Sequence, residues 1–513
     1  MDVMINDQNT NLNIHQKSVR VAVVNPPHAG LKLILFSVPY LVNGLRKMNP
    51  DVKIEVFDCT ATELGLSDLY LQLEKFQPNI IGVSIPFSVS LNASIDILKK
   101  SRDLFPLAWT VVGGVHPTLE PRDLVEYADY TVIGDGEIPF TNIIQAYKIC
   151  TDVEIQNRKL PRKIPSVAFF EDGKMKSVPV KEDTMYMGDP DWNGLDLTPF
   201  LSPVIYGDVK KGFSIFTSKG CPFVCTYCSN HLLWGRKIVY RDFEGVFNEI
   251  KWMMDHYRIE QFVLEDDLFT VDQKRVYEFC DLIEKKGLKF EWMFQTRGNL
   301  VGQRKRDQKM FERMKEVGAT VANMGIESGS QRVLQSNKQM DKQVIVDAVK
   351  MLKEMGYLIY AGFIIGFPED DIESVWDTIA FPDQLDIDSP GFQLMIPYPK
   401  TSVRDKALKE GGILTNDYSK YSTFNVVYVP PGLQGYDLLE IRKFAYAYFH
   451  TRSKERLDNF LKRYIGKPEY DTVKTKYTAM YINKEVHGLK SLERLKLKSR
   501  AHHIVESNAR LPI

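Results

Sequence analysis

The chain has 513 residues, 44% hydrophobic and 26% charged, a globular composition with room for roughly three domains. Lys and Arg number 66 and so do Asp and Glu, so no net field draws the chain to nucleic acid or an anionic membrane. The first twenty residues are polar without an apolar core or cleavage site, and no apolar run spans a bilayer, so the expected compartment is the cytoplasm.

After a polar tail over 1–19, short β-rich runs alternate with helical patterns. The runs are RVAVVN (20–25), KIEVFD (53–58), NIIGVS (79–84), WTVVGG (109–114) and YTVIG (130–134), with helices such as Ser90 to Phe105 between them. Leu33 to Val42, broken by Ser37 and Pro39, reads as the start of a buried helix. Short runs this apolar suit strands buried on both faces, so residues 20–150 are predicted to form a doubly wound parallel sheet. Such a sheet holds ligands at the carboxyl ends of its strands. The stretch SVAFFEDGKMKSVPV (166–180) places two β-prone runs around Asp172-Gly173, a hairpin signal, and the polar segment Asp189 to Leu201 reads as a linker. Hairpin and linker together occupy 151–205.

A second series of strands begins at FSIFT (213–217). It continues with QFVLED (261–266), FEWMFQT (290–296), TVANMGIE (320–327), LIYAGFIIG (358–366) and GFQLMI (391–396). Helical patterns such as Phe243 to His256, Gln273 to Lys286 and Asp341 to Met355 intervene. Six βα units over 206–405 are too few for a closed eight-fold barrel and predict an open, partial one. Residues 406–513 read as a mainly helical cap, basic over Lys490 to Arg500, which suits a solvated helix face.

Of the six cysteines, Cys221, Cys225 and Cys228 fall within eight residues, in GCPFVCTYCSN after the first strand of the second series. Clustered thiols in a large chain without a secretory signal point to metal or redox chemistry. Three thiolates on one loop can hold three irons of a cubane cluster and leave the fourth open to a non-protein ligand. A zinc site would need a fourth ligand such as His231. Cys59 and Cys150 stand apart, and Cys280 lies in a helical pattern as a small buried residue.

The loop resembles the signature of the radical S-adenosylmethionine superfamily, including the aromatic Tyr227 before its last cysteine. That resemblance implies a [4Fe-4S] cluster on Cys221, Cys225 and Cys228, whose open iron chelates S-adenosylmethionine and cleaves it to a 5′-deoxyadenosyl radical. GFIIGFPE (362–369) is similar to the family's G-x-I-x-G-x-x-E element, with Ile364 supporting adenine. GIESGS (325–330) is similar to the segment that contacts the nucleoside or methionine part, through Glu327 and Ser328. Arg297, ending the third strand, is placed to pair with the ligand carboxylate or with a structural ion partner. EDDLFT (265–270) occupies the place of the family's amino-group motif without its glycines, and its acids could equally cap the next helix. PYPKT (397–401) carries Lys400 where relatives have the glycine of a Pro-Gly-Thr turn.

The sheet domain ahead of this barrel resembles the cobalamin-binding domain of the cobalamin-dependent branch. The segments that carry the resemblance are NPPHAG (25–30), FD (57–58), SIPFSVS (84–90), GGVHPT (113–118) and GDGE (134–137). They offer Pro27, Asp58, Ser84, Gly114, His116, Gly134, Gly136 and Glu137 as cobalamin contacts. No D-x-H-x-x-G occurs, since Pro26 precedes His28 and Gly114 precedes His116 by two positions, so cobalamin is expected without a protein histidine on cobalt. A bare Rossmann-like nucleotide fold is the alternative, although no G-x-G-x-x-G follows the first strand.

The fold expected is therefore α/β: a Rossmann-like cobalamin-binding domain, a partial (β/α)6 radical S-adenosylmethionine barrel and a helical C-terminal domain. The resemblance implies methylation of an unactivated carbon or phosphorus centre of a small-molecule or peptide substrate, with an external reductant such as flavodoxin or ferredoxin. Cobalamin-dependent rearrangement, cyclisation or oxidation is a second reading. A non-catalytic cobalamin and iron–sulfur sensor is a third.

Overall fold

The computed structural model describes residues 18–27, 36–180, 187–193, 195–201, 211–302, 305–462, 465, 467–482 and 488–495. His28, Ala29 and Gly30, the run Leu33 to Leu35 and the end of the basic stretch lie outside the described residues.

The first domain alternates β1 (Arg20–Asn25), α1 (Ser37–Met48), β2 (Lys53–Asp58), α2 (Leu66–Phe76), β3 (Ile80–Ser84), α3 (Leu91–Leu104), β4 (Trp109–Gly113), α4 (Val115–Leu119), β5 (Tyr130–Val132) and α5 (Glu137–Ile149). A short α6 (Asp152–Gln156) and the strands β6 (Val167–Glu171) and β7 (Lys174–Val178) follow. The first five strands pair in parallel in the order β2-β1-β3-β4-β5. Because β1, β3, β4 and β5 are apolar and buried, helices cover both faces, and separate cores fill the two sides of the sheet. Strand order reverses between β1 and β3, so the ligand-binding crevice opens at their carboxyl ends.

The hairpin turns at Asp172-Gly173, both with positive φ, but it does not belong to a connection between domains. β6 pairs antiparallel with β5, with Thr131 opposite Ala168, and extends the first sheet to seven strands. The cause is the edge of β5, whose backbone β6 satisfies while Val167 and Phe169 join the core under Val132.

The segment read as a linker packs against both domains. Trp192 donates to Glu249 at 2.8 Å, Asp191 pairs with Arg46 at 2.5 Å, and Asp189 with Arg241 at 3.0 Å.

In the second domain, β8 (Gly212–Ile215) leads into β9 (Ser218–Lys219), the cysteine loop, α7 (Asn230–Trp234) and β10 (Val239–Tyr240). Then come α8 (Phe243–Tyr257), β11 (Gln261–Leu264), α9 (Gln273–Lys285), β12 (Glu291–Thr296), α10 (Lys305–Glu316) and β13 (Ala319–Glu327). The series closes with α11 (Gln331–Lys338), α12 (Lys342–Glu354), β14 (Leu358–Ile365), α13 (Ile372–Gln384) and β15 (Ser389–Leu394). The six long strands form one parallel sheet, ordered β15-β14-β13-β12-β11-β8, as an open half-barrel. Asp242, Asp272, Asp341 and Asp371 cap α8, α9, α12 and α13, which fixes where each helix starts and so where each strand-end loop must lie.

The C-terminal part holds α14 (Ser402–Glu410), α15 (Leu438–His450), α16 (Lys454–Lys462), α17 (Tyr470–Ile482) and α18 (Leu489–Glu493). It is mainly helical, as expected, with residues 411–437 running as an extended strap with two single 3₁₀ turns. Lys400 adopts φ +60°, a left-handed conformation that favours glycine. Among the described residues no helix is long and apolar enough to cross a membrane.

Candidate functional site

The cysteine loop hangs from the first strand of the half-barrel and is fastened at both ends and in the middle. Gly220 has φ +97°, and a Cβ there would fall 2.1 Å from the Lys237 carbonyl oxygen, so only glycine lets the chain turn out of β9. Asp267 accepts from the Gly220 amide at 2.7 Å and from the Asn230 side chain, spanning the loop. Neighbouring Asp266 accepts from the Thr217 amide and hydroxyl, both at 2.6 Å, and from the Ser218 hydroxyl at 2.5 Å. These acids hold the loop, and the cap of the following helix is Asp272 instead. Glu265, also buried, accepts from Ser214 at 2.9 Å. In mid-loop, the Thr226 amide and hydroxyl donate to the Asn337 carbonyl at 3.0 Å and side-chain oxygen at 2.5 Å. Asn337 in turn donates to Glu369 at 2.7 Å, so the glutamate of G-x-I-x-G-x-x-E steadies the cysteine loop through an intermediary.

Cys221, Cys225 and Cys228 are free and half-buried. Burial pushes the Cys228 thiol up to about 12 and raises Cys221, and each is raised further by the neighbouring thiols. Among the described residues no three His, Cys, Asp or Glu side chains converge on a single ion. Cys59, Cys150 and Cys280 are buried in three separate cores.

Arg297 is buried against this loop. One nitrogen donates to the Cys225 sulfur at 3.2 Å, another to the Lys338 carbonyl, and the guanidinium stacks 4.2 Å over Phe223. Its Nε is a buried donor without a protein acceptor, an opening for a cluster sulfide or an anionic ligand. Glu327 sits at a β-bulge with φ +74°, strained for a residue with a side chain. Lys338 holds its carboxylate at 2.9 Å, and the Tyr227 hydroxyl also bonds to it. Burial, then Glu327, keeps Tyr227 well above its ordinary value, so the phenol stays protonated. Tyr227 packs edge-on against Phe367 at 5.5 Å and shares an apolar cluster with Ile364. Ser328, expected at the ligand, is fully buried: its hydroxyl bonds to Thr378 at 2.9 Å and accepts from the Ser330 amide at 3.1 Å, which fixes α13 to the strand end.

Between the domains lies an apolar cavity at the carboxyl ends of β3, β4 and β5. Ser84, Gly114, Gly134, Gly136 and Glu137 line it, as expected; Pro27, Asp58 and His116 do not. Asp58 accepts from Asn25 at 2.6 Å and from the Thr60 and Ala61 amides at 2.9 Å, holding the turn after β2. His116 is buried with one ring nitrogen on Ser88 at 2.9 Å and the other on Asp123 at 3.2 Å, so neither nitrogen is free for a metal. A Cβ at Gly114 would lie 2.6 Å from the Ile85 carbonyl oxygen, so the rim requires glycine. A mostly apolar lining with glycine edges fits a large flat ring system.

The barrel supplies Phe216, Lys219, Leu233 and Trp234 to the same cavity. One oxygen of Asp135, inside the GDGE turn, accepts from Lys219 at 2.8 Å and from the Trp234 indole at 3.1 Å. Lys219 stands two residues before Cys221 and Trp234 six after Cys228. Both flanks of the cysteine loop are thus clasped by one carboxylate of the first domain. Sequence reasoning missed Asp135, Lys219, Trp234, Asn337 and Lys338. Only Asp135 had a signal, a carboxylate between two glycines. Beside the clasp, Glu137 is pushed up to about 7 by burial, lowered in part by Lys219 and raised again by Asp135.

A three-thiol loop at the mouth of an open barrel, facing an apolar crevice in a doubly wound sheet, defines an enzyme with two cofactors in neighbouring domains. Residues 215–381 match the radical SAM superfamily and residues 29–144 match the B12 binding domain. The chain belongs to the cobalamin-dependent radical S-adenosylmethionine enzymes, with a [4Fe-4S] cluster, S-adenosylmethionine and cobalamin as cofactors. It is 29% identical over 449 residues to an uncharacterized methyltransferase of Pyrococcus horikoshii, covering 85% of this chain and 94% of that one. It is 26% identical to the anaerobic magnesium-protoporphyrin IX monomethyl ester cyclase of Cereibacter sphaeroides, over 90% of this chain and 78% of that one. In fold it resembles OxsB with aqua-cobalamin and S-adenosylmethionine bound, with a TM-score of 0.66 at 16% identity, over 94% of this chain and 78% of that one.

Proposed function

We propose that the chain transfers a methyl group to an unactivated carbon or phosphorus centre. The observation that carries this reading is the shared wall: Lys219 and Trp234, flanking the cysteine loop, also line the first domain's cavity. When bound, the cluster and S-adenosylmethionine supply a 5′-deoxyadenosyl radical, and cobalamin supplies the methyl group. The residues of this chain orient and enclose. Cys221, Cys225 and Cys228 would hold the cluster, with Arg297 offsetting its negative charge. Ile364 and Tyr227 would form an apolar side for the adenine, and Glu327, fixed by Lys338, would bind the ribose or amino group. Ser84, Gly114, Gly134, Gly136 and Glu137 would surround cobalamin. Electrons would come from a cytoplasmic flavodoxin or ferredoxin.

The test is anaerobic turnover with S-adenosylmethionine labelled in its methyl group, read by product mass. Methylated product together with 5′-deoxyadenosine supports the reading; 5′-deoxyadenosine without a methylated product overturns it. In that outcome cyclisation or another radical oxidation takes its place, a second reading that the likeness to the cyclase favours.

A further inference from the structure

The lumen of the half-barrel has a chemistry of its own. On β12, β13 and β14, large apolar residues such as Phe294, Met324 and Phe363 pack outward into the helical layer. The half-buried alternates face the lumen. Register pairs Gln295 with Asn323 and Asn323 with Tyr360, so these three form one row across adjacent strands. Above it runs a row of glycines, Gly325 beside Gly362 beside Gly391.

The three glycines do different things. A side chain at Gly325 would run into the Glu327 carboxylate at 2.4 Å, and one at Gly391 into the Tyr360 hydroxyl at 2.8 Å. Over Gly362 the nearest atom to such a side chain is 4.0 Å away, the Gly325 Cα. A slot therefore opens over Gly362, between Glu327 with Lys338 on one side and the Tyr360 hydroxyl on the other. A strand glycine with open space above it marks a close approach by something other than the protein.

Polar groups around the slot await partners. Gln393, in register with Ile364, has a buried side-chain oxygen that accepts no hydrogen bond. Gln295 and Asn323 make no side-chain hydrogen bond to another described residue. Burying an unpaired amide oxygen is costly, and a ligand donor would recover that cost. Fixed positive charge is missing from the same surface: GFSI, QFVL, EWMFQT, ATVANMGIE, LIYAGFII and SPGFQL contain no Lys or Arg. The cations bonded to these strands and their ends are already engaged, Lys338 with Glu327, Arg297 with the cysteine loop and Arg442 with the Phe392 carbonyl. A carboxylate or phosphate seated over Gly362 would lose its hydration with no uncommitted counter-ion beside it.

Resting on the radical-enzyme reading above, we propose that the part of the substrate seated over Gly362 is uncharged and rich in hydroxyl or amide groups. It donates an N–H or O–H to Gln393 Oε1 and exchanges hydrogen bonds with Asn323 and Gln295. A site built to pair such groups rejects analogues that lack them.

The test uses the cluster-loaded, cobalamin-loaded protein with S-adenosylmethionine and no reductant, probed by saturation-transfer NMR. The probes are methyl β-glucoside (hydroxyls only), cyclo(glycylglycine) (amide N–H), butyrate and methyl phosphate. At least one neutral probe is expected to bind and neither anion. Which neutral probe binds separates a hydroxylated from an amide-bearing substrate. Gln393→Leu and Asn323→Leu should each weaken the neutral probe at least tenfold, with iron and cobalamin content as folding controls. If one variant loses its cofactors, the other carries the comparison, and Gln393→Arg should create methyl phosphate binding. Failure of both neutral probes, equal binding of the anions, or neutral binding indifferent to the substitutions would overturn the proposal. Absence of 5′-deoxyadenosine from the reduced wild-type enzyme would instead overturn the radical reading, so the two failures are distinguishable.

Discussion

Replacing Asp135 with Ala removes the one carboxylate oxygen on which both flanks of the cysteine loop converge. The Asp135 and Lys219 side chains are only 9% and 15% exposed, so the ion pair is poorly screened and water cannot fully replace it. Lost with it is the Trp234 hydrogen bond at 3.1 Å. Leaving an ammonium and an indole N–H short of an acceptor in a half-dry crevice costs about 2 kcal/mol. Because the same atoms form the cavity wall, that cost should fall on cobalamin, with affinity dropping about thirtyfold at roughly 1.4 kcal/mol per tenfold. Spectrophotometric titration of the cluster-loaded protein with hydroxocobalamin measures it. Cluster iron should be retained, since Asp267 and Asn337 still hold the loop. Wild-type cobalamin affinity in Asp135→Ala would refute the coupling of the two sites through this carboxylate.

Further outcomes are expected elsewhere. Ala at Cys221, Cys225 or Cys228 should abolish the four-iron cluster by iron and sulfide assay, whereas Ala at Cys59, Cys150 or Cys280 should keep it at a packing cost of about 1 kcal/mol. Glu137, at about 7 in the folded chain against an ordinary 4.5, binds its proton more tightly folded than unfolded. Stability of the cofactor-free protein should therefore fall as pH rises from 4.5 to about 7 and then level off, and Glu137→Gln should flatten that part of a melting-temperature profile. Gly114→Ala, forced into φ +118° against the Ile85 carbonyl, should cost about 1–3 kcal/mol and weaken cobalamin without loss of iron. Asn337→Ala should speed iron loss to a chelator, having cut the side-chain tie between Thr226 and Glu369.

What the sequence disclosed followed from how local each signal was. Apolar runs such as IIGVS and GFIIG announced strands because burial on both faces leaves no room for polar residues, and three cysteines in eight residues announced a cluster loop without any tertiary knowledge. The hairpin was legible as a hairpin, yet which edge it completes depended on β5, over thirty residues away. Glu369 was legible as part of a motif, but its action runs through Asn337, which carries no motif of its own. Ser328 matched a family segment and turned out to be committed to Thr378, because a strand-end hydroxyl can serve the neighbouring helix as readily as a ligand. Asp135 stayed hidden because its partners Lys219 and Trp234 lie in another domain.

The strap over 411–437 also bears on how the molecule is put together. Tyr418 packs edge-on against His116 at 4.9 Å, Asp417 accepts from Asn92 at 3.1 Å, and Arg404 bonds to both Tyr418 and Tyr421. These contacts join the first-synthesised domain to a segment more than 300 positions later, the Asn92–Asp417 pair being separated by 325. On a ribosome the first sheet, complete at Val178, can fold long before its tether exists. The strap's contacts with the first domain are therefore among the last to form, laid onto a sheet that is already built.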